Sequence, residues 1–188
     1  ILSALAGEPV TTAVNMAHIP THVLEIIKPY FNLAERMGCL AVHIAEVPML
    51  SIDVEYNGEI ADVDTKMLTT AVVKGALNPI LQTDVNYVNA NGLAKDRGIK
   101  VKEVKSIATA NFANLITVRL RSERSEHVVA GTLFGLEEAR IVLIDGHRVD
   151  VDPQGWILTG EHADRPGIIG KVGTVLGEHG INIGGMQV

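Results

Sequence analysis

Near Ile99 the spacing of apolar residues changes from three-and-four to two, and this change constrains the fold more than any other feature of the chain. Upstream the pattern is helical. Val23, Ile26, Ile27, Tyr30, Leu33, Ala34 and Met37 predict a helix over residues 22–38, with Gly38 as its stop and Pro29 kinking or splitting it. Strand-like runs follow over residues 40–45 and 50–56, with Asn57 and Gly58 as a turn signal. A helix is expected over residues 62–77, with Val63, Met67, Ala71 and Val72 as its stripe, Asp62 or Asp64 as cap, and Asn78 and Pro79 closing it. Another is expected over residues 84–97, with Val85, Val88 and Leu93 inward and Gly98 as stop.

Downstream, Ile116, Val118 and Leu120 alternate with Thr117, Arg119 and Arg121, the mark of a half-buried antiparallel strand. A further strand is expected near residues 127–133. Residues 140–151 read as a hairpin on Asp145 and Gly146, the preferred pair for a two-residue type I′ turn. The middle of the chain is therefore an α+β domain, two helices packed on an antiparallel sheet. After Pro153 and Gly155 a new strand is expected at residues 156–161. A helix beginning at Pro166 follows, with Ile168, Ile169, Val172, Val175 and Leu176 on one face and Gly180 as stop, then a strand holding Ile181 and Ile183. Gly167, Gly170, Gly173 and Gly177 run through this helix. Glycine there costs about 1 kcal/mol against alanine, so tight packing against a sheet is expected.

Charge and composition remove several functional classes. The formal net charge of -6 argues against a nucleic-acid partner, which calls for a basic face. No apolar run approaches the roughly 20 residues that span a bilayer. The single cysteine, Cys39, cannot close an internal disulfide, which suits a reducing, cytoplasmic setting. Residues 1–22 are small, apolar and turn-rich, and read as the tail of a preceding unit plus a linker. With Ile1 in first place, the chain reads as cut from something longer at both ends.

Catalytic and metal signatures are missing from the pattern. Lys171 precedes Val172 where a P-loop needs Ser or Thr, and neither a G-x-G-x-x-G turn nor a G-x-S-x-G elbow occurs. His18 and His22 have metal-pair spacing, but Pro20 breaks the helix that would align them. No catalytic or metal-ligating residue is assigned. The region from His162 to Asn182 suits an amino acid instead. A helix N-terminus offers free N–H groups to a carboxylate, Asp164 suits an ammonium, and Asn182 can both donate and accept. By spacing alone, Asp164 as a cap and Asn182 as a strand residue beside a turn remains open.

The order of strand, Asp164, Arg165, Pro166, Gly167, helix, then Gly180, Ile181, Asn182 and Ile183 resembles the first half of an ACT domain, a βαββαβ amino-acid sensor. The resemblance implies a ligand at a dimer interface, held by His162, Asp164, Asn182 and the backbone around Pro166, Gly167 and Ile168. Upstream, residues 5–10, 13–15, 28–38, 85–90 and 131–135 and the Asp145–Gly146 hairpin follow in an order similar to the C-terminal part of the long-form D-3-phosphoglycerate dehydrogenase family. That likeness implies a catalytic-unit tail and linker at 1–22, an intervening allosteric substrate-binding domain at 23–155, and the N-terminal half of an ACT domain at 156–188, its remainder absent.

The family likeness carries further expectations. The parent would use NAD to oxidise 3-phosphoglycerate, while this region binds no cofactor, is inactive alone, senses L-serine and joins subunits as a dimer or tetramer. An anion site in the intervening domain is implied at Arg140, with Arg119, Arg121, His147 and Arg148 as further candidates; Asp152 departs from the pattern where a basic residue is expected. Arg119 and Arg121 also fit an ordinary solvated strand face. The alternatives are the regulatory region of an iron–sulfur L-serine dehydratase, or an oligomerisation module that binds no ligand.

Overall fold

The computed structural model describes residues 20–45, 48–108, 111–135, 137–163 and 165–188. The proposed tail at 1–22 therefore lies almost wholly outside the described residues, as does Asp164. Two compact units emerge, one ending at Gly155 and the other starting at Trp156.

In the first unit, Pro29 divides the opening helix. Helix α1 (Thr21–Ile27) passes through a 3₁₀ turn (Lys28–Tyr30) into α2 (Phe31–Ile44). Proline has no N–H to give, and its ring crowds the carbonyl four residues back, so the chain tightens for one turn and continues. Gly38 does not end α2, and residues 40–45 are not a strand. The buried stripe of Leu33, Ala34, Met37, Ala41 and Val42 carries the helix on to Ile44.

Strand β1 (Met49–Gly58) leads through a 3₁₀ turn (Glu59–Asp62) to α3 (Lys66–Leu77). Helix α3 starts later than expected. Its N-cap, Thr65, makes no side-chain cap because its hydroxyl donates to Glu103 Oε1 at 2.9 Å; Asp64 Oδ1 accepts the Lys66 N–H at 3.1 Å instead. Helix α3 is buried almost all round, as expected for a helix enclosed by other elements. It lies against α2, α4 (Ala90–Asp96), β1 and β2 (Lys100–Ser106).

Helix α4 is shorter than the spacing implied. Asn86 Oδ1 accepts the N–H of Val88 and of Asn89, and Asn89 Oδ1 accepts the N–H of Asn86, a reciprocal clasp that holds the chain in a turn before the helix. Val88 is correspondingly exposed rather than inward, and the half-buried Tyr87 packs on the neighbouring helices instead. Its ring meets Phe31 edge-on at 5.8 Å, the Lys74 ammonium sits 5.0 Å from its centroid, and its hydroxyl donates to Glu35 at 3.3 Å. Gly98 stops α4 as expected, at φ +71°.

Strands β3 (Asn114–Ser122), β4 (Glu126–Phe134), β5 (Glu138–Ile144) and β6 (His147–Val151) follow as a meander. The six-stranded sheet has the order β2-β1-β3-β4-β5-β6. The α+β architecture is the one the change of period implies, with one departure: β1 and β2 run parallel. They are joined by a helical crossover, which returns the chain in the same direction, whereas hairpins join the later strands. Asp145 and Gly146 both have positive φ, 46° and 85°, as a type I′ turn requires. Ile52, Val54, Tyr56, Ile116, Val118, Leu120, Val129 and Ile141 form the floor of the core beneath the helices.

The second unit holds α5 (Ile168–Glu178). Pro166 is in the turn before it, and Gly167, at φ +88°, is the N-cap. Gly180 closes the helix at φ +69°, with the Ile181 N–H donating to Leu176 O at 2.9 Å. Residues 156–161 and 181–185 do not form the expected strands. A strand exists only as part of a ladder, and these segments have no ladder partner among the described residues. Nor does anything approach the glycine stripe within 4 Å of where a Cβ would stand. Among the described residues no helix is long and apolar enough to cross a membrane.

Two buried glycines set the distance between α2 and α3. A Cβ on Gly38 would stand 2.1 Å from Val72 O, and one on Gly75 would stand 1.9 Å from Glu35 O. Gly75→Ala is expected to destabilise the fold by about 1–3 kcal/mol despite alanine's higher helix propensity. Gly92→Ala, in α4 with nothing within 4 Å, is expected to stabilise it by up to about 1 kcal/mol. Thermal unfolding of the two variants, followed by circular dichroism, checks the opposite signs.

Candidate functional site

The residues expected to hold an amino acid belong to the second unit. Pro166 and Gly167 form the turn, and Ile168 begins an eleven-residue helix whose N-cap makes no side-chain hydrogen bond. The Ile168 N–H donates to Arg165 O at 3.5 Å, and no side chain caps the N–H groups that follow it in the first turn. His162 is exposed, with Nδ1 3.0 Å from Ala163 O. Asn182 is exposed just beyond the helix stop. Position 164 is outside the described residues, so the ammonium partner carries no geometry.

The candidate anion residues are on the first unit's sheet, and their environments differ. Register sets Arg119 opposite Asp53, and Arg121 opposite Ser51 on β1 and Glu126 on β4. Arg121 reaches Asp53 at 2.9 Å and also binds Glu126, and Arg119 lies 3.7 Å from Glu55 and 3.9 Å from Glu126. Glu126, then Asp53, hold the Arg121 guanidinium above its ordinary pKa. Arg140 binds Glu138, lies 3.2 Å from Asp150 and 3.8 Å from Asp152. Asp152, the residue that departs from the expected basic pattern, therefore neutralises the arginine it would have assisted. His147 and Arg148 are exposed on β6 and make no ion pair with a described residue. Arg119 and Arg121 thus share Glu126, Arg140 has carboxylates of its own, and His147 and Arg148 face solvent. These carboxylates have no signature in the local sequence, because their pairing depends on strand register.

Cys39 is half-buried, and burial pushes its thiol pKa up, against the lowering effect of Arg36. Among the described residues no cluster of His, Cys, Asp or Glu could hold a metal. A dinucleotide would seat where β1 leads toward α3, the one parallel crossover among the described strands. Between Gly58 and α3 that link has no glycine and carries Glu59, Asp62 and Asp64, which would repel a pyrophosphate. These residues do not fit NAD.

A parallel crossover feeding a four-stranded meander, with two helices crossing at glycines, is the architecture for comparison with known proteins. Residues 26–145 match the family model described as the D-3-phosphoglycerate dehydrogenase intervening domain. The chain belongs to that family. Residues 157–188 match the ACT domain. Similar over their C-terminal part are D-3-phosphoglycerate dehydrogenases of Bacillus subtilis (36% identical over 188 residues), Archaeoglobus fulgidus (37% over 188) and Mycobacterium tuberculosis (34% over 187). The first two align with 100% of this chain and the third with 98%, while the chain spans only 35–36% of these relatives' length. It is thus an intervening domain followed by an ACT segment, in the order found in dehydrogenases.

The carboxylates around Arg140 compete with any external anion. Asp150→Asn combined with Asp152→Asn is expected to strengthen inorganic phosphate binding several-fold, read by calorimetric titration at low salt. Equal affinity in the parent and the double variant would show that Arg140 is no part of an anion site.

Proposed function

We propose that this chain is the regulatory and subunit-joining region of an NAD-dependent D-3-phosphoglycerate dehydrogenase, and that L-serine is the effector of its ACT segment. The observation that carries this reading is the succession of an intervening-domain match and an ACT match in one chain, aligned end to end with dehydrogenases. The same alignments favour a dehydrogenase over an iron–sulfur dehydratase as the parent. NAD and 3-phosphoglycerate would be handled by parts of the enzyme other than these residues.

Serine has a carboxylate and an ammonium. Pro166 has no N–H, so Gly167 and the first turn of α5 would offer their backbone N–H groups to the carboxylate, and Asp164 would take the ammonium. Asn182 would orient the ligand through its amide, with His162 at the rim. Binding at this segment changes turnover only if serine prefers one arrangement of the subunits over another, so self-association as a dimer or tetramer is part of the reading. The anion residues of the first unit, Arg140 above all, are a lesser candidate for binding a phosphorylated acid.

In the enzyme that carries this chain, NAD reduction with 3-phosphoglycerate is expected to fall on adding L-serine. Asn182→Ala and Asp164→Ala are each expected to raise the serine concentration for half-inhibition about tenfold or more, as loss of a charge-assisted hydrogen bond would. Turnover without serine should stay near normal. Inhibition unchanged in both variants would overturn the site, and turnover indifferent to serine would leave the region as a subunit connector alone.

A further inference from the structure

Strand β2 is the edge of the sheet. It pairs with β1 alone, from Ser51↔Lys100 to Asn57↔Ser106, and no strand among the described residues meets its outer side. An unpaired edge of this kind is a template for another strand. Lysines commonly guard such edges, and β2 carries Lys100, Lys102 and Lys105. Yet the same edge leaves Val101, Val104 and, just beyond it, Ile107 exposed at 36%, 37% and 77%. The lysines therefore set a filter on what can pair there.

A second copy of β2 is one strand whose charges can be checked residue by residue. In an antiparallel pair about a two-fold axis, one residue opposes itself, and residues equidistant from it oppose each other on the same face. Centring the axis on Lys100, Lys102 or Lys105 sets lysine against lysine. Centring on Val101 sets Lys100 against Lys102 twice, and centring on Glu103 sets glutamate against glutamate. Centring on Ser106 leaves Lys105 opposite Ile107. Centring on Val104 has none of these faults. Val104 meets Val104, Glu103 meets Lys105 in both directions, Val101 meets Ile107 in both directions, and Lys102 meets Ser106. Glu103 and Lys105 lie 3.9 Å apart in one chain, and although Glu103 also accepts from Thr65 and Thr69 and Lys105 donates to Val63 O, their opposite charges would face the partner's in register.

We propose that β2 strands of two copies of this chain join antiparallel about Val104, continuing the sheet across a two-fold axis. The inference rests on the self-association in the proposed function and names the surface and register that would serve it. Val104 faces the side of the sheet away from the helices, between Lys102 and Ser106, so substituting it leaves the core untouched.

The test measures mass by sedimentation and cross-linking by mild oxidation, in a Cys39→Ser background. Directly opposed residues of an antiparallel pair have Cα atoms about 4.5–5.5 Å apart, inside the roughly 4.4–6.8 Å that a disulfide spans. Val104→Cys is expected to give a covalent dimer. Val101→Cys alone is not, whereas Val101→Cys with Ile107→Cys is. Val104→Lys, folded as the parent by circular dichroism, is expected to weaken association by about tenfold or more, since it opposes like charges. An oligomer that keeps its mass in Val104→Lys and gives no cross-link with Val104→Cys would overturn the edge while sparing self-association. A parent that sediments as a monomer at every concentration would overturn both.

Discussion

Everything above the sheet in the first unit depends on two helix backbones coming closer than side chains normally permit. Gly38 of α2 faces the Val72 carbonyl of α3, and Gly75 of α3 faces the Glu35 carbonyl of α2. The contact is reciprocal, each helix supplying the missing Cβ the other needs. It brings α3 in so far that nearly all its residues are buried, including Thr69 and Thr70. A third glycine continues the arrangement downward. A Cβ on Gly131 of β4 would stand 2.7 Å from Met37 Sδ and 2.9 Å from Leu33 Cδ1, so α2 settles directly on the strand. Glycine costs backbone entropy at each of these positions, and close packing on both sides of α2 offsets it.

Burying α3 so deeply strands polar groups, and the way they are satisfied ties the edge strand to the helix layer. Tyr56 OH and Thr69 Oγ1 lie 2.9 Å apart in the core. Thr69 donates to Glu103 Oε2 at 2.6 Å and Thr65 to Glu103 Oε1 at 2.9 Å, while Lys105 binds the Val63 carbonyl. Both oxygens of one carboxylate on β2 are thereby used by α3 and its N-cap. Thr70 donates to Lys66 O and accepts from Asn91 of α4 at 2.9 Å. Among the described residues no buried side-chain polar atom lacks a partner. The edge strand is fixed from within, which leaves its outer side regular and its register defined.

The parts of this fold that sequence reveals are those decided locally. Asp145 and Gly146 demand a turn with positive φ wherever they stand between alternating apolar residues, and the hairpin follows. Gly98 and Gly180 end their helices for the same local reason. Gly38 was ambiguous because a glycine at the end of an apolar stripe serves equally as a left-handed stop or as a point of close approach, and only the opposing helix decides. The run from Leu40 to Ala45 was ambiguous for want of length, since four to six apolar residues fit either period. The parallel pairing of β1 and β2 is a property of the whole crossover and has no residue of its own. The amino-acid segment was legible as a turn, a helix start and a stop, but its flanking strands depend on ladder partners that spacing cannot supply.

Register also decides what the first unit's arginines can do. Asp53 and Glu55 alternate on the same face of β1 as Arg119 and Arg121 on β3, and the antiparallel pairing brings them together across more than sixty residues of chain. Arg140 meets Asp150 across the hairpin and Asp152 just past it. An arginine with a carboxylate partner is a poorer ligand for a free anion, because binding must first break an existing pair. These charges therefore serve the sheet's own cohesion, and do so weakly, since most of the pairs are open to solvent. The second unit is the converse. None of the residues of α5 is buried, its first turn makes no side-chain cap, and its apolar residues and glycines lie open. Among the described residues, exposed apolar side chains gather there and along β2, at Val101, Val104 and Ile107, beside single ones elsewhere such as Ile26, Leu50 and Val88.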